Sequence, residues 1–367
     1  MSATRSQRLQ KSFLKYQHIF VFAAPAVFVA LVLFAAPTGG GSGADYWLEY
    51  WWLFPFFLLG ATTVNTVGIS GSALFVPFLI FVFPLLAGET LTPETLVKVG
   101  LISESFGLSA SSIAFIQYGL VDRRLALTIV VGSVPFVIAG ALLSFFIPEP
   151  LFHAALGAAL LVAGYLMLNA DIGHGEPDES DDAVATDGGS PADLPDDDEK
   201  LGPAGVNATE EGEVTRVDRE GDTYEYSWSG YLERFANYSV GGTFQGLAGF
   251  GSGELGIISQ LRTGVPTRVA IGTNHIIVAT TAILASLVHV FGGSILGAFG
   301  VGGVHSLSLA STPWNMVVFT VPATVTGGQI APYVSNALNT GTIQKGVAGL
   351  FAAISLALFL MAGGAGI

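Results

Sequence analysis

The stretch NTVGISGSALFVP, residues 65–77, separates two apolar runs, YWWLFPFFLLGATTV (50–64) and FLIFVFPLLA (78–87). The flanks read as membrane helix, yet the middle holds two glycines, an asparagine and two serines. Unpaired backbone groups cost several kcal/mol each in hydrocarbon, so such a break survives only inside protein or beside a water-filled cavity. A second break, GFGSGELGII, occupies residues 249–258. The fold therefore has to accommodate two interrupted helices.

Composition sets the class. Of 367 residues 51% are hydrophobic and 11% charged, and mean hydropathy is +0.61; soluble domains carry about a quarter charged residues. Segments 19–36, 93–117, 125–147, 151–169, 269–291, 313–335 and 343–362 are near the length that spans a bilayer. The basic stretch 5–15 precedes a run too long for a signal-peptide core, so 19–36 reads as an uncleaved first helix. With no cysteine, disulfides, thiol chemistry and cysteine metal sites are excluded.

The net charge of −14 is concentrated in one place: residues 170–226 hold nineteen of the twenty-eight acids but only Lys200, Arg216 and Arg219 among the basic residues. That composition predicts a disordered acidic loop, and its carboxylates suit concentrated salt, as in a haloarchaeal cell. The organisation expected is a stub and first helix (1–48), membrane repeat 1 (49–169), the loop (170–230) and membrane repeat 2 (231–367).

The halves echo one another. VPFVIAGALLS (134–144) stands 187 positions ahead of VPATVTGGQIA (321–331), aligning Pro135 with Pro322 and Gly140 with Gly327. Ser70–Gly71 lies 182 positions ahead of Ser252–Gly253, and Pro93 and Pro266 each open a helix. Basic residues at 5–15, Arg123 and Arg124 place those segments in the cytoplasm. Each broken segment must then cross an even number of times, as a re-entrant loop or a tight helical pair. The second repeat starts on the opposite face from the first, so the fold class expected is all-α, with two inverted repeats plus an extra N-terminal helix, a plan common among secondary transporters. Lys98 departs from the charge rule and is assigned a pairing with Glu94 at i,i+4.

A half-helix starting inside the membrane offers free N–H groups and a positive dipole end, a site for an anion. Ser70, Gly71 and Ser72 begin one such half-helix; Ser252, Gly253 and Glu254 begin the other. Thr273, Asn274 and Gln329 are added as cavity-lining candidates, the last because Gly327 and Gly328 leave room beside it. Glu104, Glu254 and His275 are ionisable groups at membrane depth and the candidates for proton coupling. A protonated Glu254 can donate a hydrogen bond to an anion that its ionised form would repel. Thr280 and Thr281 are expected to bond back to the preceding turn, and His289 and His305 to lie near or beyond the far membrane face. Arg262 and Arg268 flank a turn, as cytoplasmic anchors or a basic entrance.

GISGSALFVP, FGSGELGIIS and above all GVPTRVAIGTNHIIVATTAILASLVH (264–289) resemble the sulfite exporter TauE/SafE family. The resemblance covers roughly residues 50–169 and 231–362. It implies a polytopic carrier of small sulfur-containing anions such as sulfite or organosulfonates. The sequence departs from the family pattern at Glu254, a carboxylate where an anion should sit, and in its sparser glycine runs. An anion channel, or a permease of a different small solute, is the alternative. An enzyme is disfavoured: no H-E-x-x-H, no pair of membrane aspartates and no P-loop pattern occurs. Neither cofactor nor metal is expected; the partners are a small anion and the lipid bilayer, with homo-oligomerisation left open and no nucleic acid.

Overall fold

In a computed structural model the chain is helical apart from three short strands. The structure describes residues 16–37, 43–117, 121–169, 206–208, 214–217, 223–226, 228–298, 307–337 and 340–364. The helices are α1 (Gln17–Ala35), α2 (Ala44–Leu48), α3 (Leu53–Val67), α4 (Ser72–Phe81), α5 (Phe83–Ala87), α6 (Pro93–Gln117), α7 (Arg123–Leu143) and α8 (Glu149–Asn169). After the strands come α9 (Trp228–Ala248), α10 (Ser252–Arg262), α11 (Thr267–Ala298), α12 (Trp314–Ala337) and α13 (Thr340–Ala362).

Among the described residues four helices are long and apolar enough to cross a membrane: Pro93–Ile116, Arg123–Leu143, Val269–Ala298 and Lys345–Ala362. Large apolar side chains such as Leu59, Leu127, Val131, Tyr165 and Leu356 face outward. Such a surface suits lipid rather than water.

Both breaks are helical hairpins. Gly68 ends α3 in the left-handed conformation (φ 80°), and its N–H bonds the Val64 carbonyl. The chain then turns back: Phe57 of α3 stacks on Phe75 of α4 at 4.4 Å, and Tyr50 and Trp52 meet Phe83 of α5, each at 5.5 Å. The second half repeats this device. Gly249 (φ 88°) and Gly251 (φ 124°) turn the chain after α9, and α10 runs back so that Gly256 abuts Tyr238 and Thr263 meets Arg234. Of the two forms left open, a helix returning through a short half-helix is the one adopted.

Helix partners exchange between halves. α3 packs on α12 and α9 on α7; α6 pairs with α11 and α8 with α13; α6 also meets α12, as α11 meets α7. Swapping α3 with α9, α6 with α11, α7 with α12 and α8 with α13 returns the same set of pairs. The duplicated glycines sit at equivalent seams. A β-carbon at Gly140 would lie 2.0 Å from the Thr243 carbonyl oxygen of α9, and one at Gly327 would lie 2.8 Å from the Leu58 carbonyl oxygen of α3. Only glycine permits backbones this close.

The acidic segment departs from the expected loop at its C-terminal end. Residues Val206–Ala208, Val214–Val217 and Thr223–Tyr226 form an antiparallel sheet in the order β1–β2–β3. The register sets Val206 opposite Arg216, and Val214 opposite Tyr226. Alternating Val, Thr and Tyr favour strands, which the overall charge of the segment had obscured. The described membrane repeats are all-helical, as expected, and the strands are confined to the acidic segment. Residues 170–205, and the basic stretch 5–15 on which the expected orientation rests, lie outside the described residues.

Candidate functional site

The two half-helix starts meet in the protein interior. Ser70, Gly71 and Ser72 precede or open α4; Ser252, Gly253 and Glu254 open α10; all six are buried. Their approach is close enough that a β-carbon at Gly253 would lie 2.5 Å from the Ser70 nitrogen. Glycine is required here by contact between backbones rather than by φ.

Three N–H groups at these ends, those of Ser70, Ser72 and Gly251, have carboxylate partners. Glu254 accepts from Gly251 N at 2.8 Å and, across the halves, from Ser70 N at 3.1 Å. At the third position of α10 it caps its own helix and ties it to the other break. Glu104, from the middle of α6, accepts from Ser72 N at 3.1 Å, Ser72 Oγ at 2.5 Å and Gln245 Nε2 at 3.2 Å. Neither carboxylate takes part in the described salt bridges, Lys98–Glu94 and Arg262–Glu233. Two acids thus occupy the positions expected for a bound oxyanion. The Ser252 hydroxyl is buried with no hydrogen-bond partner, and the Ser70 hydroxyl has only a long contact, 3.4 Å, to Gln245 Oε1.

Asn274 holds the breaks together from α11. Its Nδ2 donates to the Gly68 carbonyl at 2.8 Å and the Gly253 carbonyl at 2.9 Å, and its Oδ1 accepts from the Tyr238 hydroxyl. Tyr238 in turn accepts from Gln260 Nε2 at 2.5 Å. Tyr238, Gln245 and Gln260 went unrecognised in the sequence. Each sits one to three turns from a break on α9 or α10, a spacing that does not distinguish a partner from ordinary core.

The other candidates are dispersed. Thr273 accepts from Asp122 N at 2.9 Å and so fixes the turn before α7, where Asp122 caps the helix through Leu125 N. His275 is buried; its Nδ1 meets Ser111 Oγ at 2.9 Å while Nε2 has no partner. That pair sits on the α6–α11 seam, two turns of α6 beyond Glu104. Gln329 donates to the Ala110 carbonyl at 2.7 Å. Its neighbouring glycines leave no room: a β-carbon at Gly328 would fall 2.5 Å from the Gly107 carbonyl oxygen. The space expected there is filled by the backbone of α6.

Thr280 and Thr281 bond back to the Ile276 and Ile277 carbonyls. His289 differs from expectation: it is buried, with Nε2 2.7 Å from the Gly246 carbonyl oxygen, because α11 extends to Ala298 and carries it inward against α9. His305 and the side chain of Arg268 lie outside the described residues. Arg262 is exposed and pairs with Glu233 at 3.1 Å. Among the described residues no group of three or more His, Asp or Glu is placed to hold a metal.

Two comparisons bear on this arrangement. The "Probable membrane transporter protein YunE" of Bacillus subtilis (strain 168) is 23% identical over 290 residues, covering 78% of this chain and 88% of its own length. No solved structure matches. The family model for the sulfite exporter TauE/SafE matches residues 53–358, from the start of α3 into α13 and across both breaks. The chain belongs to the sulfite exporter TauE/SafE family of membrane proteins.

Proposed function

We propose that this membrane transporter is a proton-coupled secondary carrier of small anions, sulfite or organosulfonates, with its central site where the two half-helices meet. The observation that carries the reading is the pair of buried carboxylates, Glu104 and Glu254, on the N–H groups of both breaks. A carboxylate and a sulfonate present similar acceptor oxygens to an N–H group. The protein's own acids therefore hold the place of the substrate while it is absent.

Exchange follows from charge. Helix N-termini favour one negative charge, and crowding a substrate anion against two ionised acids in a low dielectric is costly. Protonating Glu254 removes its repulsion of the anion and weakens its hold on Ser70 N. The anion then takes the amide, and the neutral acid becomes a donor. Proton and anion enter together and leave together.

Alternating access is the further element of the proposal. The exchangeable helix pairs, with a hairpin break in each half, support reading the halves as inverted repeats that rock about the meeting point. The cytoplasmic placement of residues 1–15 and 170–230 belongs to the same proposal. Uptake of sulfite and ethanesulfonate into proteoliposomes, with and without an imposed pH gradient, tests it. Saturable flux that accelerates with inward proton movement is expected. Flux indifferent to the gradient removes the coupling, and flux linear in concentration favours a channel.

A further inference from the structure

Of the Lys and Arg side chains whose burial is described, only Lys98 and Arg234 are fully buried. Their described partners, Ser308, Ser311, Glu94 and Thr263, lie outside the breaks. Resting on the anion-carrier reading above, we infer that Lys98 and Arg234 are two anion-receiving stations, one on either side of the central site.

Their placement follows the length of α11. Arg234, on α9, donates to the Thr263 hydroxyl just after α10 ends, four positions before α11 starts at Thr267. Lys98, on α6, donates to the Ser308 carbonyl at 3.1 Å and the Ser311 hydroxyl at 2.6 Å. That segment is fastened near the other end of α11, where Gly293 N donates to the Leu307 carbonyl at 2.7 Å. Asn274, the clamp on both breaks, lies between the two ends. A helix of 32 residues rises about 48 Å, so the cations are well separated and the breaks lie along the way.

The chemistry asks for such groups. A charge in the membrane interior needs compensation, yet at the centre this protein places two acids. Compensation for a travelling anion must come from elsewhere, and the buried cations are arranged to supply it. Lys98 is held by groups an anion can displace or join. Lys98 is bound by two neutral oxygens and by Glu94 at 3.5 Å, a carboxylate still partly exposed. Arg234 lies one turn of α9 before Tyr238, whose hydroxyl begins the chain through Gln260 and Asn274 to Gly68 and Gly253. A polar path therefore runs to both breaks from Tyr238, one turn of helix from this cation.

Ethanesulfonate flux in vesicles of fixed orientation, with the anion presented first to one face and then to the other, tests the assignment. Lys98→Gln should raise KM roughly 10- to 100-fold from one face, the scale of a charge-assisted hydrogen bond, and change it less than about threefold from the other. Arg234→Gln should give the mirror image, while Lys98→Arg and Arg234→Lys stay near wild type. A measurement on the wild-type protein guards against misfolded variants. Saturating ethanesulfonate should alter amide hydrogen exchange in Leu307–Thr312 and in the first turns of α9. Folded glutamine variants with unchanged KM from both faces would overturn the stations, as would unchanged exchange in both segments while wild-type flux saturates. A wild-type protein that carries neutral solutes but no anion would defeat the anion reading itself, and the stations with it.

Discussion

Gly253→Ala adds one methyl group at the closest contact between the halves. Its carbon would lie 2.5 Å from Ser70 N, 2.7 Å from Ser70 Oγ and 3.1 Å from the Ile69 carbonyl carbon. Non-bonded carbon contacts settle near 3.5 Å, so one break must retreat by roughly 1 Å. The Ser70 N to Glu254 bond, now 3.1 Å, would stretch to about 4 Å and cease to be a hydrogen bond. Overpacking of this kind costs about 1–3 kcal/mol, and the lost bond adds to it. Because the nearest atom is backbone, no rotamer change relieves the clash. Gly349→Ala on α13 is the control, since nothing lies within 4 Å of its β-carbon. Thermal unfolding in detergent and ethanesulfonate KM in proteoliposomes are measured on both. Gly253→Ala should lower Tm by several degrees and raise KM about tenfold or more, one decade per 1.4 kcal/mol. Gly349→Ala should match wild type or exceed its stability slightly. A Gly253→Ala protein with wild-type Tm and KM would refute the idea that the breaks form one site.

Glu254→Gln keeps the shape of the neutral acid and cannot titrate. If substrate binds with Glu254 protonated, wild-type affinity falls as pH rises through that titration, and the variant's pH profile should be flat at the acid-side level; an unchanged slope would move the coupling to Glu104 or elsewhere. Gly140→Ala and Gly327→Ala should each lose folded protein, because each pushes against a neighbouring helix's backbone; normal yields by fluorescence-detected size exclusion would contradict the seam assignment. Deletion of residues 171–204, which spares the strands, should leave transport largely intact, and loss of flux from correctly inserted protein would give the segment a part in the pathway.

The breaks, the Pro-initiated helices and the matched Gly140 and Gly327 were all legible in the sequence because they are local. A glycine run inside an apolar segment, or a motif repeated at constant offset, needs no knowledge of the partner. Lys98 with Glu94 was likewise a one-turn relation, present at 3.5 Å. What could not be read was which group fills which end. Glu254 lies 184 positions from Ser70, and Glu104 32 positions from Ser72. Only the crossing of α6 and α10 over the α3–α4 hairpin brings them within reach. Depth in an apolar segment marked Glu104 and Glu254 as costly, and it could not show that they accept from the N–H groups of the breaks. Arg234 was overlooked for a related reason. At the start of α9, beside an acidic segment, it reads as one more charge at a membrane edge, and only packing shows it buried.

The exchange of helix partners also governs the birth of the molecule. α3 finds its main neighbour in α12, which leaves the ribosome about 250 residues after Val67. At 5–20 residues per second that interval is roughly 12–50 s. Throughout it, α3 must rest against lipid or an insertion factor with Ala61, Thr62 and Thr66, which face α12 in the finished fold, uncovered. An N-terminal half made alone would never meet α12, nor a C-terminal half α7. Neither is an autonomous folding unit, and the two expressed as separate chains should accumulate only when made together.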